Sequence, residues 1–368
     1  MPSPGDHSRR RVLPLALGVV VLIAAAVVGA LIANAVNSPS SATTTASGAS
    51  SAAAGSSLCN VTSIADKELP SVVTIFAGGG TAGGVGSGEV IRSDGYILTN
   101  NHVILPAVGG GPLEVVFTDG SAAAATITGR DPLTDLAVIH VSGKSDLRQI
   151  SVGNSSGLRI GQGVVALGAP LGLSSTVTSG IVSALGRTVH VPGEASRTAL
   201  LIDAVQTDAA INPGNSGGAL VDCAGDLIGI PTAGATIPSP SGEASGGSIG
   251  LGFAIPVNLA TKVADEIIAT GTVTHAFIGI QTEPLTASAT GQSGAQGLRV
   301  AVVVTGGPAA NAGLRVGDIV TSVDGQPATS TDQLMAVTLT KRAGDRVEIG
   351  YKRDGRETTA TITLAARS

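Results

Sequence analysis

The sequence contains few aromatic and charged residues and no tryptophan. Aromatic residues account for 2% of its 368 positions, so its cores must be built from Val, Ile, Leu and Ala packed through many small contacts. Charged residues account for 13% and the net charge is −5, which excludes a basic nucleic-acid binder that neutralises phosphates. Hydrophobic residues account for 43%, which excludes disorder of the whole chain.

Cysteine is also scarce. The only two thiols are those of Cys59 and Cys223, and the five histidines are scattered without metal-ligand spacing. The sequence therefore predicts neither a metal site nor a cofactor. An exported location would permit a disulfide between the two cysteines, and two separate buried thiols are the alternative.

The N-terminus carries one long apolar run. Arg9–Arg11 precede an almost unbroken apolar stretch over Val12–Ala33, which is long enough to cross a bilayer as one helix. The arginines favour the cytoplasmic side, so residues 1–11 would form a cytoplasmic tail. The residues that follow the membrane helix would then lie on the opposite side of the membrane. The alternative is a cleaved signal, because Ala33–Ala35 has the small-x-small form of a cleavage site. Residues 34–58 are rich in Ser, Ala, Thr and Gly, which is typical of a flexible linker.

Residues 59–272 show the pattern of many short strands separated by close turns. For example, the Ser93–Gly95 turn lies between Val90-Ile91 and Tyr96–Thr99, which indicates a hairpin. Repeated runs of this kind predict an all-β sandwich or barrel. A clear helical pattern occurs only over Val257–Thr270.

Three segments of this region carry chemical information: Thr99–Val103, Asp131–Val138 and Gln206–Leu220. In the third, Ser216 lies among glycines that allow a tight turn, where backbone N–H groups can converge on an oxyanion. A nucleophilic serine needs a base, and the base needs an orienting group. His102 and Asp135 supply these roles in the order His, Asp, Ser, which is typical of the chymotrypsin arrangement.

Two other residues compete for these roles. Asp131 precedes Pro132, which suits the start of a turn, whereas Asp135 adjoins the strand that would hold it. His140 lies within an apolar strand, which favours a structural imidazole over a base. We therefore expect Asp135 and His102 to form the pair.

The sequence resembles the HtrA (DegP/DegS-like) family of serine endopeptidases. The matching blocks are Gly84–Gly88, Gly95–Val103, Thr134–Val138, Gln206–Leu220 and Gly250–Pro256. The resemblance implies a mainly β fold, with a chymotrypsin-like double β-barrel protease domain over residues 59–272. One departure is Glu89, where the family usually has an apolar residue. It would place a charge near the active-site rim or at a strand edge.

The resemblance also implies a set of site residues. The triad would be His102, Asp135 and Ser216. The oxyanion hole would be formed by the amides of Gly214, Asn215 and Ser216. Ile211 and Leu251 would line an apolar substrate pocket for small aliphatic side chains.

Residues 273–368 resemble a PDZ domain in its bacterial, circularly permuted form. Gly313–Val320 and Val323–Gly325 carry this likeness. The family's carboxylate-binding loop corresponds to Phe277, Ile278, Gly279 and Ile280. Backbone N–H groups there would hold the terminal carboxylate of a peptide that adds as an extra strand.

These features predict a membrane-anchored, ATP-independent serine endopeptidase that cleaves unfolded or damaged envelope proteins and is regulated by peptide binding to its PDZ domain. The resemblance places it in a bacterial cytoplasmic membrane with both domains on the extracytoplasmic side. Its partners would be unfolded polypeptides, protein C-termini and, as in the family, two further copies in a homotrimer, but no nucleic acid. The alternatives are a dedicated stress-signalling protease, or a chaperone-like peptide-binding protein with latent proteolysis.

Overall fold

The computed structural model describes residues 59–79, 83–169, 175–192, 194, 198–234, 248–285 and 297–367. The predicted cytoplasmic tail, membrane helix and linker lie outside these residues. Within the described ranges, no helix is both long enough and apolar enough to cross a bilayer.

Six antiparallel strands close a first barrel in the order β1-β2-β3-β6-β5-β4. Their bounds are β1 Val72–Ala77, β2 Gly84–Val90, β3 Tyr96–Asn100, β4 Leu113–Val116, β5 Ala122–Asp131 and β6 Leu136–Val141. Side chains alternate between the two faces of a strand. Ile75, Ile97 and Ile139 therefore fill the barrel interior, while the intervening Leu98 and Val138 point outward and are also fully buried.

A second closed barrel has the strand order β10-β11-β12-β9-β8-β7. Its strands are β7 Gly163–Gly168, β8 Thr176–Pro192, β9 Thr198–Thr207, β10 Ala219–Asp222, β11 Leu227–Gly234 and β12 Gly252–Pro256. Val164, Ala166 and Leu220 lie in its interior cluster. Val165 and Leu167, on the opposite face, share one buried cluster with the outward-facing residues of the first barrel. The two barrels are thus joined through a common apolar core.

The described part of the chain has five α-helices: α1 Val61–Glu68, α2 Asn101–Ile104, α3 Val257–Thr270, α4 Pro308–Asn311 and α5 Asp332–Thr340. Helix α3 has the predicted bounds, buries Ala260 and Ile267 against the inter-barrel cluster, and ends at Gly271 with a φ of 78°. Helix α1 and strands β9 and β12 are not among the elements that the local sequence pattern predicts. Asn60 caps α1 by accepting a hydrogen bond from the Ser63 N–H at 3.1 Å.

A disulfide joins the start of the described chain to the second barrel. Cys59 and Cys223 are bonded across a sequence separation of 164 residues. Both sulfurs lie beside Gly163, where an added Cβ would be 2.9 Å from Cys59 Sγ and 3.0 Å from Cys223 Sγ. The structure therefore contains the bridge and not two separate thiols.

The C-terminal region forms a small β domain. Its main sheet has the order β14-β15-β16-β18-β19, β17 pairs with β16, and β13 pairs with β20. The bounds are β13 Ala276–Phe277, β14 Ile280–Pro284, β15 Leu298–Val303, β16 Ile319–Val323, β17 Gln326–Pro327, β18 Arg346–Arg353, β19 Arg356–Thr363 and β20 Ala365–Ala366. Leu298, Val320 and Ile349 are central to its own buried cluster.

Candidate active site

Strand register brings His102 and Asp135 together. His102 lies in α2, immediately after β3, and Asp135 ends the turn between β5 and β6. Because β3 pairs with β6, Asn100 lies opposite Leu136, so the residues that follow one strand meet those that precede the other. Ser216 lies in the loop between β9 and β10.

The backbone of Asp135 is held in an unusual conformation. Its φ is 58°, in the left-handed region that a non-glycine residue rarely adopts. Its carbonyl oxygen accepts hydrogen bonds from Asn100 Nδ2 at 2.9 Å and from the Asn101 N–H at 3.1 Å. These two bonds stabilise the turn that presents the carboxylate.

The Asp135 carboxylate contacts His102 through both of its oxygens. Oδ1 accepts from the His102 backbone N–H at 3.0 Å, and Oδ2 lies 2.8 Å from ring Nδ1. The Asp135 side chain is 3% exposed, whereas that of His102 is 35% exposed. The buried carboxylate thus fixes the ring orientation and leaves Nε2 as the nitrogen that does not face it.

Thr232 connects this pair to Ser216. From β11, Thr232 Oγ1 donates to Asp135 Oδ2 at 2.5 Å, and its carbonyl oxygen accepts from Ser216 Oγ at 3.5 Å. The second bond is at the long limit and therefore weak. Among the described residues, the Ser216 hydroxyl donates to Thr232 and not to His102.

Sequence reasoning missed Thr232. It lies in a strand whose other side chains are mostly apolar, 97 residues from Asp135, and nothing in its neighbourhood marks it. Its position follows only from the course of β11 past the Asp135 turn.

The backbone amides of the loop around Ser216 differ in their hydrogen-bond partners. Gly214 has a φ of 101°, and neither its N–H nor that of Ser216 has an acceptor among the described residues. The Asn215 N–H instead donates to Asn212 O at 3.0 Å. In the described part of the chain, two of the three expected amides thus have no acceptor, whereas the third closes the turn itself.

The two expected pocket residues differ in environment. Ile211 is 4% exposed and belongs to the second-barrel cluster, whereas Leu251 is 39% exposed. A Cβ on Gly252 would lie 2.5 Å from Ile211 Cγ1, so Ile211 packs directly on the backbone next to Leu251.

Glu89 lies neither at the active-site rim nor at an exposed edge, which corrects the sequence expectation. It is 0% exposed, and its ladder partners in β1 and β3 are Val72 and Leu98. Neither carboxyl oxygen has a hydrogen-bond partner in the described structure. Burial raises the pKa of Glu89 well above its ordinary value of 4.5.

The loop expected to bind carboxylates begins at the edge of the C-terminal sheet. Gly279 has a φ of 83°, and its carbonyl accepts from the Val304 N–H at 2.9 Å. The Ile278 carbonyl accepts from the Ala309 N–H at 3.0 Å. By contrast, the N–H groups of Ile278 and Gly279 have no acceptor among the described residues. Strand β14, which starts at Ile280, is the edge strand of its sheet.

Asp131, the rival of Asp135, has different contacts. Its Oδ1 lies 2.9 Å from His275 Nε2 and accepts from the Leu133 N–H at 3.2 Å, and its Oδ2 accepts from Thr134 Oγ1 at 2.5 Å. The structure therefore brings Asp135 and not Asp131 to His102. Asp131 instead ties the turn before Asp135 to the segment that leads into the C-terminal domain.

The same turn makes an apolar contact with that domain. Leu133 packs against a small cluster of Leu200 and Ile202 from β9 and Leu339 from α5. Lys262 Nζ of α3 also donates to Thr340 O at 2.8 Å.

Known family models match both regions. The model of the trypsin-like peptidase domain matches residues 86–230, and that of the PDZ domain matches residues 276–364. Serine protease PepD of Mycobacterium tuberculosis is 45% identical over 312 residues, which cover 83% of this chain and 66% of the relative. The periplasmic pH-dependent serine endoprotease DegQ of Escherichia coli is 40% identical over 286 residues, which cover 76% of this chain and 59% of the relative. The chain thus spans about 59 to 66% of the length of these curated relatives.

Comparison with solved structures also finds serine proteases. HtrA-type protease AlgW with decapeptide has a TM-score of 0.65 and 35% identity, and the match covers 84% of this chain and 99% of that one. The serine endoprotease from Yersinia pestis has a TM-score of 0.61 and 36% identity, and the match covers 84% and 98% of the two chains. With an Asp–His pair whose carboxylate is buried, a serine linked to it through Thr232 and a C-terminal PDZ domain, the chain belongs to the HtrA family of trypsin-like serine proteases.

Proposed function

We propose that this chain is a membrane-anchored, ATP-independent serine endopeptidase that cleaves unfolded or damaged envelope proteins outside the cytoplasmic membrane. The observation that carries the chemistry is the pair of hydrogen bonds at Thr232, one to Asp135 and one from Ser216. Through Thr232, these bonds link the serine to the carboxylate that orients the His102 imidazole at 2.8 Å.

The mechanism follows from these positions. Rotation of the Ser216 hydroxyl away from its weak bond to Thr232 lets it donate to His102 Nε2. His102 then takes the proton as Ser216 attacks the peptide carbonyl, and later gives it to the leaving amine. Asp135 holds Nδ1–H and stabilises the imidazolium that forms.

The free amides supply the electrostatic part. The N–H groups of Gly214 and Ser216 bind the oxygen that becomes negative in the tetrahedral intermediate. Ile211 and Leu251 provide an apolar surface nearby for a small aliphatic side chain of the substrate.

The direct test is the Ser216→Ala variant with unfolded casein as substrate. We expect hydrolysis to fall at least about 10³-fold, because the nucleophile is lost. Ser151→Ala, which changes an exposed serine of the same domain, is the matched control and should retain wild-type activity. Undiminished casein cleavage by Ser216→Ala would refute the assignment.

We also assign peptide binding to the PDZ domain. The N–H groups of Ile278 and Gly279, which have no acceptor among the described residues, suit a terminal carboxylate, and β14, the edge strand of its described sheet, suits an added strand. A related protease, AlgW, has been solved with a decapeptide. A synthetic decapeptide with a free C-terminal carboxylate should bind more tightly than its C-terminal amide, as measured by fluorescence anisotropy. Equal affinity would contradict carboxylate recognition.

Regulation by this domain has a physical basis in the Asp131–Asp135 turn. The turn holds Asp135 at one end and contacts His275 and Leu339 of the PDZ side through Asp131 and Leu133. Movement of the PDZ domain on peptide binding would therefore shift this turn and, with it, the Asp135 carboxylate that orients His102. Labelling of Ser216 by a serine-reactive phosphonate, with and without the decapeptide, measures this coupling. An unchanged labelling rate would count against it.

The proposed membrane location is supported by the arginines and apolar run of the N-terminus. We expect the full-length chain to sediment with membranes and to resist extraction by high salt. A soluble form that begins near Val36 would instead support a cleaved signal. Digestion of many unfolded proteins would favour quality control over a single dedicated signalling target.

A further inference from the structure

Ser87 lies beneath the Ser216 loop, at the junction of the two barrels. It belongs to β2 and is 0% exposed. A Cβ on the next residue, Gly88, would lie 2.7 Å from Ile97 and 2.8 Å from Ile75 in the first-barrel interior. Because neighbouring side chains alternate, that of Ser87 points away from this interior and toward the second barrel.

The Ser87 hydroxyl makes two short hydrogen bonds to the second barrel. It donates to Gly214 O at 2.6 Å and accepts from the Ala169 N–H at 2.8 Å. Its partner Gly214 is 127 residues away in sequence. One buried hydroxyl thus donates to the Ser216 loop and accepts from the residue that follows β7.

The backbone of Ser87 is tied to both halves of the candidate site. Its N–H donates to Ser216 O at 2.9 Å, and its carbonyl accepts from Thr99 Oγ1 at 2.6 Å. Thr99 lies three residues before His102. Ser87 therefore joins the segment that carries the nucleophile to the strand that leads to the base.

Strand β2 and the Ser216 loop approach each other too closely for a side chain at several of their glycines. A Cβ on Gly217 would lie 2.3 Å from Ser87 O, and one on Gly218 would lie 3.2 Å from Ser87 Cβ. On the other side, a Cβ on Gly86 would lie 3.2 Å from Ser216 O. The approach of β2 to the Ser216 loop thus excludes a side chain at Gly217, and it adds to tighter contacts with Val103 at Gly86 and with Leu167 O at Gly218.

The bond to Gly214 O controls the direction of one peptide group. That carbonyl and the Asn215 N–H belong to the same planar unit, and the N–H donates to Asn212 O at 3.0 Å. The unit is therefore held at both ends and cannot rotate without breaking both bonds. With the Gly214–Asn215 peptide held in this orientation, the N–H groups of Gly214 and Ser216 on either side of the peptide have no acceptor among the described residues.

We propose that Ser87 is a positioning residue for the oxyanion hole: its hydroxyl holds the Gly214–Asn215 peptide so that the Gly214 and Ser216 amides face the reacting carbonyl. The inference rests on the proposed function, in which Ser216 is the nucleophile. Ser87 touches neither substrate nor reacting atoms and acts through the loop. Its loss should therefore weaken transition-state binding more than ground-state binding.

The test compares Ser87→Ala with Ser71→Ala. Ser71 is also 0% exposed, and its hydroxyl also donates to a backbone carbonyl, Glu68 O, at 2.6 Å. Each variant therefore loses a buried hydroxyl that donates to a backbone carbonyl, one at the site and one away from it, and Ser87→Ala also loses the bond from the Ala169 N–H. The readouts are kcat and KM on a peptide substrate, the affinity of a peptide aldehyde whose adduct places an oxygen in the oxyanion hole, and thermal unfolding.

We expect Ser87→Ala to lower kcat by about 10- to 100-fold, with KM changed less than about 3-fold, since loss of a whole oxyanion donor costs about 10²- to 10³-fold. Aldehyde affinity should fall in parallel. Ser71→Ala should alter thermal unfolding and leave the kinetic constants near wild type. Equal kcat in the two folded variants overturns the proposal.

Two further variants keep the result interpretable. If Ser87→Ala does not fold, Ser87→Cys, which retains a weak donor of similar size, should still lower kcat, and a wild-type kcat overturns the proposal. Ser216→Ala separates the two levels of inference. Activity in Ser216→Ala refutes the proposed function itself, whereas an inactive Ser216→Ala beside a fully active Ser87→Ala refutes only the role of Ser87.

Discussion

Glu89 is the residue whose environment conflicts most with its chemistry. Its carboxyl group lies between the two barrels with no hydrogen-bond partner among the described residues. Because burial raises its pKa, the folded chain holds a proton that the unfolded chain has released at pH values between the ordinary pKa and the raised one. The contribution of this group to stability is therefore complete below its ordinary pKa of 4.5 and is lost as the pH rises toward the folded-state pKa.

Removing the Glu89 carboxyl should therefore stabilise the protein at neutral pH. We expect Glu89→Leu to raise the free energy of unfolding by about 1 to 3 kcal/mol at pH 7, since it replaces an unpaired buried polar group with an apolar one. Glu89→Gln should flatten the pH dependence above pH 4.5. Urea denaturation from pH 4.5 to 8 measures both effects.

The matched control is Glu114→Gln, which changes an exposed glutamate in β4 of the same barrel. It should leave the pH profile of stability unchanged. A Glu89→Gln profile that follows wild type at every pH would show that Glu89 is not the group that titrates.

The choice between Asp135 and Asp131 can also be tested at single residues. Asp135→Asn should lower kcat by about 10⁴-fold, because an amide cannot hold the His102 tautomer that serves as base. Asp131→Asn should cost less than about ten-fold, because its carboxylate binds His275 and Thr134 instead of His102. Steady-state kinetics decide the matter, and a larger loss for Asp131→Asn would reverse the assignment.

Among the elements, α1 depends most on distant parts of the chain. It is short, and a helix of its length is marginal alone. Three contacts hold it: the Cys59–Cys223 bridge, the bond from Lys67 Nζ to Ala224 O at 3.1 Å, and burial of Ile64 in the inter-barrel cluster. The helix therefore forms through tertiary contacts and not through its own propensity.

Loss of the disulfide should loosen this element first. We expect the Cys59→Ser/Cys223→Ser variant to lose about 2 to 5 kcal/mol of unfolding free energy, given the long loop that the bridge closes. Hydrogen exchange over Val61–Glu68 should rise more than exchange over β3 or β6. Reductant added to this variant should have no further effect, and a stability within about 1 kcal/mol of wild type would contradict the prediction.

At the scale of the whole molecule, the two domains meet at the turn that presents Asp135. One contact is polar, between His275 and Asp131, and the other is apolar, around Leu339. The His275 side chain is 10% exposed and that of Asp131 is 3% exposed, so the polar contact is shielded from water. Shielding strengthens such a contact relative to an exposed pair.

We expect His275→Ala to reduce the effect of the decapeptide on phosphonate labelling by at least about 5-fold, the lower end of typical coupling between sites. Peptide affinity at the carboxylate loop should change much less. Lys352→Ala, which removes an exposed pair with Glu357 on the far strands of the PDZ sheet, is the control. An undiminished peptide response in His275→Ala would show that coupling follows another route.

Much of the fold was accessible from local patterns. The bounds of α3 and the hairpin around Ser93–Gly95 followed from periodicity and turn residues, because these signals act over a few neighbouring residues. Strand β9 was missed because its two faces are both buried over most of its length, so it lacks the polar alternation that marks a strand.

The sequence by itself determined the chemistry: a histidine, an aspartate and a glycine-flanked serine in the order of a trypsin-like protease, followed by a PDZ domain. Tertiary structure alone decided that Thr232 joins Asp135 to Ser216, that the Asn215 amide closes its own turn, and that Glu89 is buried. The reason is physical. Motifs are contiguous and visible in one dimension, whereas these contacts depend on strand register and barrel packing that bring together residues about a hundred positions apart.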